Sequence, residues 1–168
     1  MKNHFYIHLS WVLVLLLTTA GCYTFKNASI PGEAKYFQIE IFRNAAALSP
    51  ATMAQDFTDA LRNKIVTESR LSFNDQQPDY IFKGAVTGFA VTPESPQADG
   101  SSFLNRLTIT VEVDFTNKLN EEQSWKKRFS QFSNFNADTN LLDVQDQLIE
   151  EINRLLVDEI FNEAFANW

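Results

Sequence analysis

The sequence predicts an α+β domain, a two-layer α/β sandwich of order β-α-β-β-β-α with two helices packed on one face of a four-stranded mixed sheet. Three observations lead there. Apolar residues alternate with polar ones in several short segments, and recur every four residues in two longer ones. The loops joining the last three strands are short enough for an antiparallel meander. A helix separates the first strand from the second, so that unit needs a crossover and its strand should lie parallel to a neighbour, with right-handed sense.

In residues 35–42 (KYFQIEIF), Phe37, Ile39 and Ile41 fall on one face and Tyr36, Gln38 and Glu40 on the other, as in a half-buried strand. Ser49-Pro50 signals a helix start, with Ser as N-cap and Pro in the first turn. Met53, Phe57, Leu61 and Ile65 then form a stripe reaching about Ser69, and the plain expectation for such a stripe is core. A turn-rich stretch, 74–78, leads into the strand-like run 80–91 (YIFKGAVTGFAV), where Gly84 and Gly88 predict a bulge or the close approach of another backbone. Residues 92–102 (TPESPQADGSS) make the clearest loop.

In 106–116, Leu107, Ile109, Val111, Val113 and Phe115 alternate with Thr108, Thr110, Glu112, Asp114 and Thr116. A polar turn at 117–122 and the run 124–135 (SWKKRFSQFSNF) complete a hairpin. Asn140 can cap a last helix over about 141–166, whose central stripe is Ile149, Ile152, Leu156 and Ile160. The sheet face away from the helices (Thr108, Thr110, Glu112, Asp114, Lys126, Arg128) is polar and free to meet water or a partner.

The first 21 residues read as a secretion signal: Lys2 in a short positive start, the apolar run WVLVLLL at 11–17, and small residues up to Gly21. A spanning helix needs about 20 apolar residues, and the uninterrupted run here is seven, from Trp11 to Leu17. Ala20-Gly21-Cys22 resembles a lipobox, with Thr19 standing where that pattern usually has Leu. Cys22, the only cysteine, is therefore the expected lipidation site. The expected organisation is a lipoprotein signal peptide at 1–21, a lipidated tether at 22–33 and one domain at 34–168. Two acyl chains already anchor a protein stably.

Composition then narrows the function classes. Lys2 is the only one of the 14 Lys and Arg in the signal, so the mature chain sets 13 cations against 21 Asp and Glu, a net charge of −8. Such a balance disfavours nucleic acid as a partner, because phosphate binding needs clustered positive charge. Both histidines, His4 and His8, lie in the signal. Ser-His-Asp and Cys-His chemistry and His- or Cys-built zinc sites are thus excluded from the mature domain. Gly32, Gly84, Gly88 and Gly100 are too scattered for a phosphate-binding loop. No catalytic residue, metal site or cofactor is implied.

Four pieces of sequence carry a resemblance: GCYTFKNASIP at 21–31, LNRLTITVEVDFTN at 104–117, FSQFSNF at 129–135, and LIEEI with FNEAFANW at 148–152 and 161–168. In their order and spacing they resemble LptE, the lipopolysaccharide-assembly lipoprotein family, in its Bacteroidetes form. The resemblance implies a two-helix, four-stranded α/β sandwich in the outer membrane, lipid-anchored on the periplasmic side. It implies a non-catalytic partner and plug of the large β-barrel translocon LptD, helping that barrel fold and lipopolysaccharide reach the outer leaflet. The alternative is a periplasm-facing lipoprotein that binds lipid or lipopolysaccharide directly, without a barrel. Its candidate residues are Lys126, Lys127 and Arg128, the densest basic cluster in an acidic domain. The plainer reading of that cluster is a solvated strand edge whose charge discourages aggregation. An enzyme is the third class, and no carboxylate or Ser-Lys pairing supports one.

Overall fold

A computed structural model describes residues 30–94 and 103–166; the signal, Cys22 and most of the predicted loop at 92–102 lie outside them. The chain runs β1 (Tyr36–Ile39), β2 (Arg43–Asn44), α1 (Met53–Glu68), β3 (Ser72–Phe73), β4 (Tyr80–Pro93), β5 (Leu104–Asn117), a 3-10 turn (Glu121–Gln123), β6 (Trp125–Asn136) and α2 (Leu141–Phe165). Four main strands and two helices thus form in the predicted order.

The sheet has six strands rather than the expected four, ordered β3-β1-β4-β5-β6, with β2 continuing β1 alongside β4. Both additions are two residues long and have local causes. The residues just after α1 bond along β1, Ser72 N–H to Lys35 O and Asn74 N–H to Phe37 O, each at 2.9 Å, which makes β3. The other addition arises because the first strand breaks in two. Glu40 N–H still donates to Phe82 O and Ala45 N–H to Val86 O, but Phe42 N–H turns to the Thr58 hydroxyl instead. Inward-facing residues therefore step from Ile39 to Phe42. This corrects the expectation that Ile41 shares the buried face: Ile41 is 65% exposed and Phe42 only 2%.

β1 and β2 pair parallel with β4, as the crossover requires, while β4-β5-β6 form the antiparallel meander. The two glycines of β4 behave as predicted. A Cβ on Gly84 would stand 2.0 Å from the Glu112 carbonyl oxygen and 2.7 Å from the Phe42 ring, so only glycine lets that ring cross β4. The β4–β5 register shifts between Val86 and Gly88, a bulge that returns Phe89 to the inner face.

The helix stripes are core, as expected: Met53, Phe57, Leu61 and Ile65 of α1, and Ile152, Leu156 and Ile160 of α2, are fully buried. Each such side chain contributes about 1.5–3 kcal/mol on leaving water. Between sheet and helices, Tyr80, Phe82, Phe115 and Phe165 form one aromatic cluster with ring centroids 4.9–6.2 Å apart.

The start of α1 differs from the prediction. Ser49 does not cap it; its hydroxyl bonds Asn44 Oδ1 at 2.6 Å and Ala46 O at 2.8 Å, closing the loop after β2. The helix begins at Met53 behind Thr52, which makes no side-chain cap bond. Asn140 does cap α2, accepting from Leu142 N–H at 3.2 Å.

Three side chains of α2 tie it to β6: Glu151 accepts from Ser133 Oγ and Glu159 from Gln131 Nε2, both at 2.8 Å, while Glu163 pairs with Lys127. Ascending numbers on α2 meet descending numbers on β6, so α2 runs antiparallel to its strand. α1, the crossover between parallel strands, also runs against them. The two helices are therefore parallel to each other, side by side on one face.

Candidate interaction surfaces

The predicted basic cluster lies on β6, which pairs only with β5 and forms one edge of the sheet. Alternation along that strand splits the cluster. Lys126 and Arg128 face away from the helices, in register with Asp114 and Glu112. Lys127 is on the helix side, paired with Glu163 and 5.8 Å from the centre of the Trp125 ring. Lys126 Nζ stands 2.8 Å from Glu112 Oε1. That bond holds the Glu112 carboxyl below its ordinary pKa and raises the Lys126 ammonium.

The polar face away from the helices is laced together across strands. Lys83 pairs with Asp114 at 3.8 Å, Thr110 and Ser130 share a hydrogen bond at 3.0 Å, and Arg106 pairs with Glu94 at 2.9 Å while lying 3.9 Å over the Phe132 ring. These are surface pairs of mixed sign, each worth roughly 0–1 kcal/mol. Their alternation leaves no continuous positive field on this face.

Sequence reasoning missed a concavity between the helices. A groove of about 660 Å³ runs between α1 and α2, from Thr52 to Glu68 along α1 and from Asp146 to Asp158 along α2. Ala60, Ile149 and Val157 supply its apolar parts. At one end Lys64 Nζ bridges Asp158 at 2.5 Å and Glu68 at 2.6 Å. Burial opposes the Lys64 charge, but the bonds to Asp158 and Glu68 outweigh it and raise its pKa. Asn153 lines the same groove, is only 4% exposed, and its Oδ1 has no hydrogen-bond partner among the described residues. The signal was present in the sequence: Ile149, Asn153 and Val157 follow every four residues, a polar side chain inside an apolar stripe.

Among the described residues no helix is long and apolar enough to cross a membrane, and no group of three or more His, Cys, Asp or Glu is placed to hold a metal ion.

Similar folds occur in solved lipoprotein structures. A minor lipoprotein from Acinetobacter baumannii aligns with a TM-score of 0.51 at 16% identity, over 80% of this chain and 94% of that one. The rare lipoprotein B from Shewanella oneidensis aligns at 0.51 and 12% identity, over 76% and 92%. A hypothetical protein from Chlamydia trachomatis aligns at 0.54 and 8% identity, over 80% and 99%. At these identities the likeness concerns the fold. No curated protein matches the sequence. The family model described as LptE, lipopolysaccharide-assembly, matches residues 34–164, from just before β1 to the last turn of α2. The chain belongs to the LptE family of lipopolysaccharide-assembly lipoproteins.

Proposed function

We propose that this protein is the lipoprotein partner of an LptD-type β-barrel in the outer membrane. In this reading residues 1–21 are removed as a signal and Cys22 carries the lipid. Residues 22–33 form the tether, and the domain that follows sits on the periplasmic side and plugs the barrel. It assists barrel assembly and the delivery of lipopolysaccharide to the outer leaflet, and performs no chemistry. The observation that carries the reading is the family match, which spans the whole sandwich. The exposed sheet face agrees with it, since its rows of mixed, mutually paired charges suit a wet, polar interface.

The test is affinity purification of the lipidated protein from outer membranes, followed by identification of what comes with it. The expected result is a stoichiometric β-barrel, with lipopolysaccharide lost from the cell surface on depletion. Recovery of the solubilised protein with no barrel overturns the reading.

Direct binding of lipopolysaccharide without a barrel is the second reading, resting on Lys126 and Arg128, which share an exposed face with Arg43 and Lys83. Glu112 and Asp114 stand among these cations and offset them. Changing Lys126, Lys127 and Arg128 together to Gln should abolish lipopolysaccharide binding by the isolated protein; unchanged binding discards this reading.

A further inference from the structure

We propose that the protein's own leader, residues 23–29, docks in the groove between α1 and α2, with Lys26 among the groove's carboxylates beside Asn153 and Phe25 against its apolar parts. This site is independent of any barrel partner.

The groove asks for a cation. Five carboxylates line it against two cations, Lys64 and Arg154. Both cations are committed, Lys64 to Glu68 and Asp158, and Arg154 to Asp158 at 3.5 Å. Asp56, Asp146 and Glu150 have no ion pair among the described residues, although they sit along one concavity. Asn153 adds a buried carbonyl oxygen without a donor. A buried acceptor left unpaired is costly, so an N–H donor brought to the groove floor gains more there than on an open surface.

The leader has the complementary chemistry. Residues 23–29 read YTFKNAS, with no acidic side chain, one lysine, and two aromatic residues within the four positions that end at Lys26. Its point of entry is also right. The described chain starts at the buried Ile30, and Gly32, Ala34 and Lys35 share a small cleft with Arg70, two residues past the end of α1. That is the end of the groove lined by Thr67 and Glu68. The 16 residues of α1 are about 24 Å long, and seven extended residues span at most about 25 Å. Lys26, four residues before Ile30, can reach at most about 13 Å inward from it. That is about mid-groove, a helical turn beyond the Lys64–Asp158 bridge, where Asn153 lies.

Docking of the leader would fix which face of the domain turns toward the lipid on Cys22. The test uses the full lipidated chain in detergent, with Lys26 kept, carrying Asn27→Cys together with Asn63→Cys on the groove wall. An intramolecular disulfide should form on oxidation at least about tenfold faster than in a chain carrying Asn27→Cys with Lys83→Cys on the opposite face, through the higher effective concentration of the docked thiol. Equal rates overturn the proposal. So does a disulfide that joins two molecules, which would assign the groove to a second copy. Hydrogen exchange supplies a reading that needs no cysteines. Amides 23–29 of the otherwise unaltered chain should exchange about tenfold more slowly than in Lys26→Glu, and equal exchange is the opposing result.

Discussion

The hydroxyl of Thr58 on α1 accepts the backbone N–H of Phe42 at 3.1 Å and donates to the Ala54 carbonyl at 2.6 Å. It takes the place of a sheet partner where the first strand breaks, and it is fully buried. Thr58→Val keeps the shape and leaves the Phe42 N–H buried and unpaired. The expected loss is about 1–3 kcal/mol, read as a lower urea midpoint. Thr58→Ser keeps both bonds and should lose under about 1 kcal/mol. Equal losses in the two variants would mean that the methyl group matters and the hydroxyl does not.

Gly84 and Gly88 should not be equivalent. An added Cβ at Gly84 meets the Glu112 carbonyl oxygen at 2.0 Å, a backbone atom that moves only if β4 and β5 part. At Gly88 the nearest atom is the Thr110 Cβ at 3.0 Å, a side-chain atom of β5 opposite the bulge in β4. Gly84→Ala is expected to cost about 3 kcal/mol, the upper range for overpacking, and Gly88→Ala clearly less. Thermal unfolding of the two proteins side by side decides the order.

Tyr80 sets an alkaline limit. Burial first, and the neighbouring charge of Asp79 second, hold its phenol above the ordinary pKa. The folded state thus keeps this proton more tightly than the unfolded one. The stability linked to it is fully present below the unfolded phenol pKa of about 10 and is lost as pH rises through the folded value. Tyr80→Phe preserves the ring contacts with Phe115 and Phe165 and removes the titration. Its urea midpoint should fall less steeply above about pH 10 than that of the parent protein; parallel curves would remove Tyr80 from the alkaline limit.

Cys22→Ala tests the tether directly. The changed protein should keep its fold, since the sandwich holds its own core from Ile30 onward. It should also lose the lipid, move out of the membrane fraction and run without the mass of the acyl chains. An unchanged membrane fraction and unchanged mass would show that Thr19 does spoil the lipobox.

Much of the sandwich was legible because alternation and helical periodicity record burial, and burial is what the strands and helices here share. Leu107 through Phe115 and Met53 through Ile65 could be placed from spacing alone. The break after Ile39 was not legible, since Ile41 and Phe42 are both apolar and the choice between them is made by Thr58, sixteen positions away. Ser49 misled for a similar reason: its local pattern suits a cap, while its hydroxyl serves the loop from Asn44. The basic cluster was visible as a run, and alternation already put Lys126 and Arg128 on the face away from the helices; what spacing could not show is that Lys127 meets Glu163 of α2. The groove needs two helices aligned at a particular spacing, and of its parts only Asn153 left a trace in the pattern.

The parallel course of the two helices gives the domain an electrical direction. Side by side and co-directed, their macrodipoles add, with the positive ends together at the start of α1 and α2 and the negative ends where the chain arrives from its leader. Aligned dipoles repel, and Asp56, Asp143 and Asp146 temper this by crowding the positive end. Held at a membrane by lipid on Cys22, as proposed above, such a domain should take its heading from these dipoles together with the carboxylates that offset them.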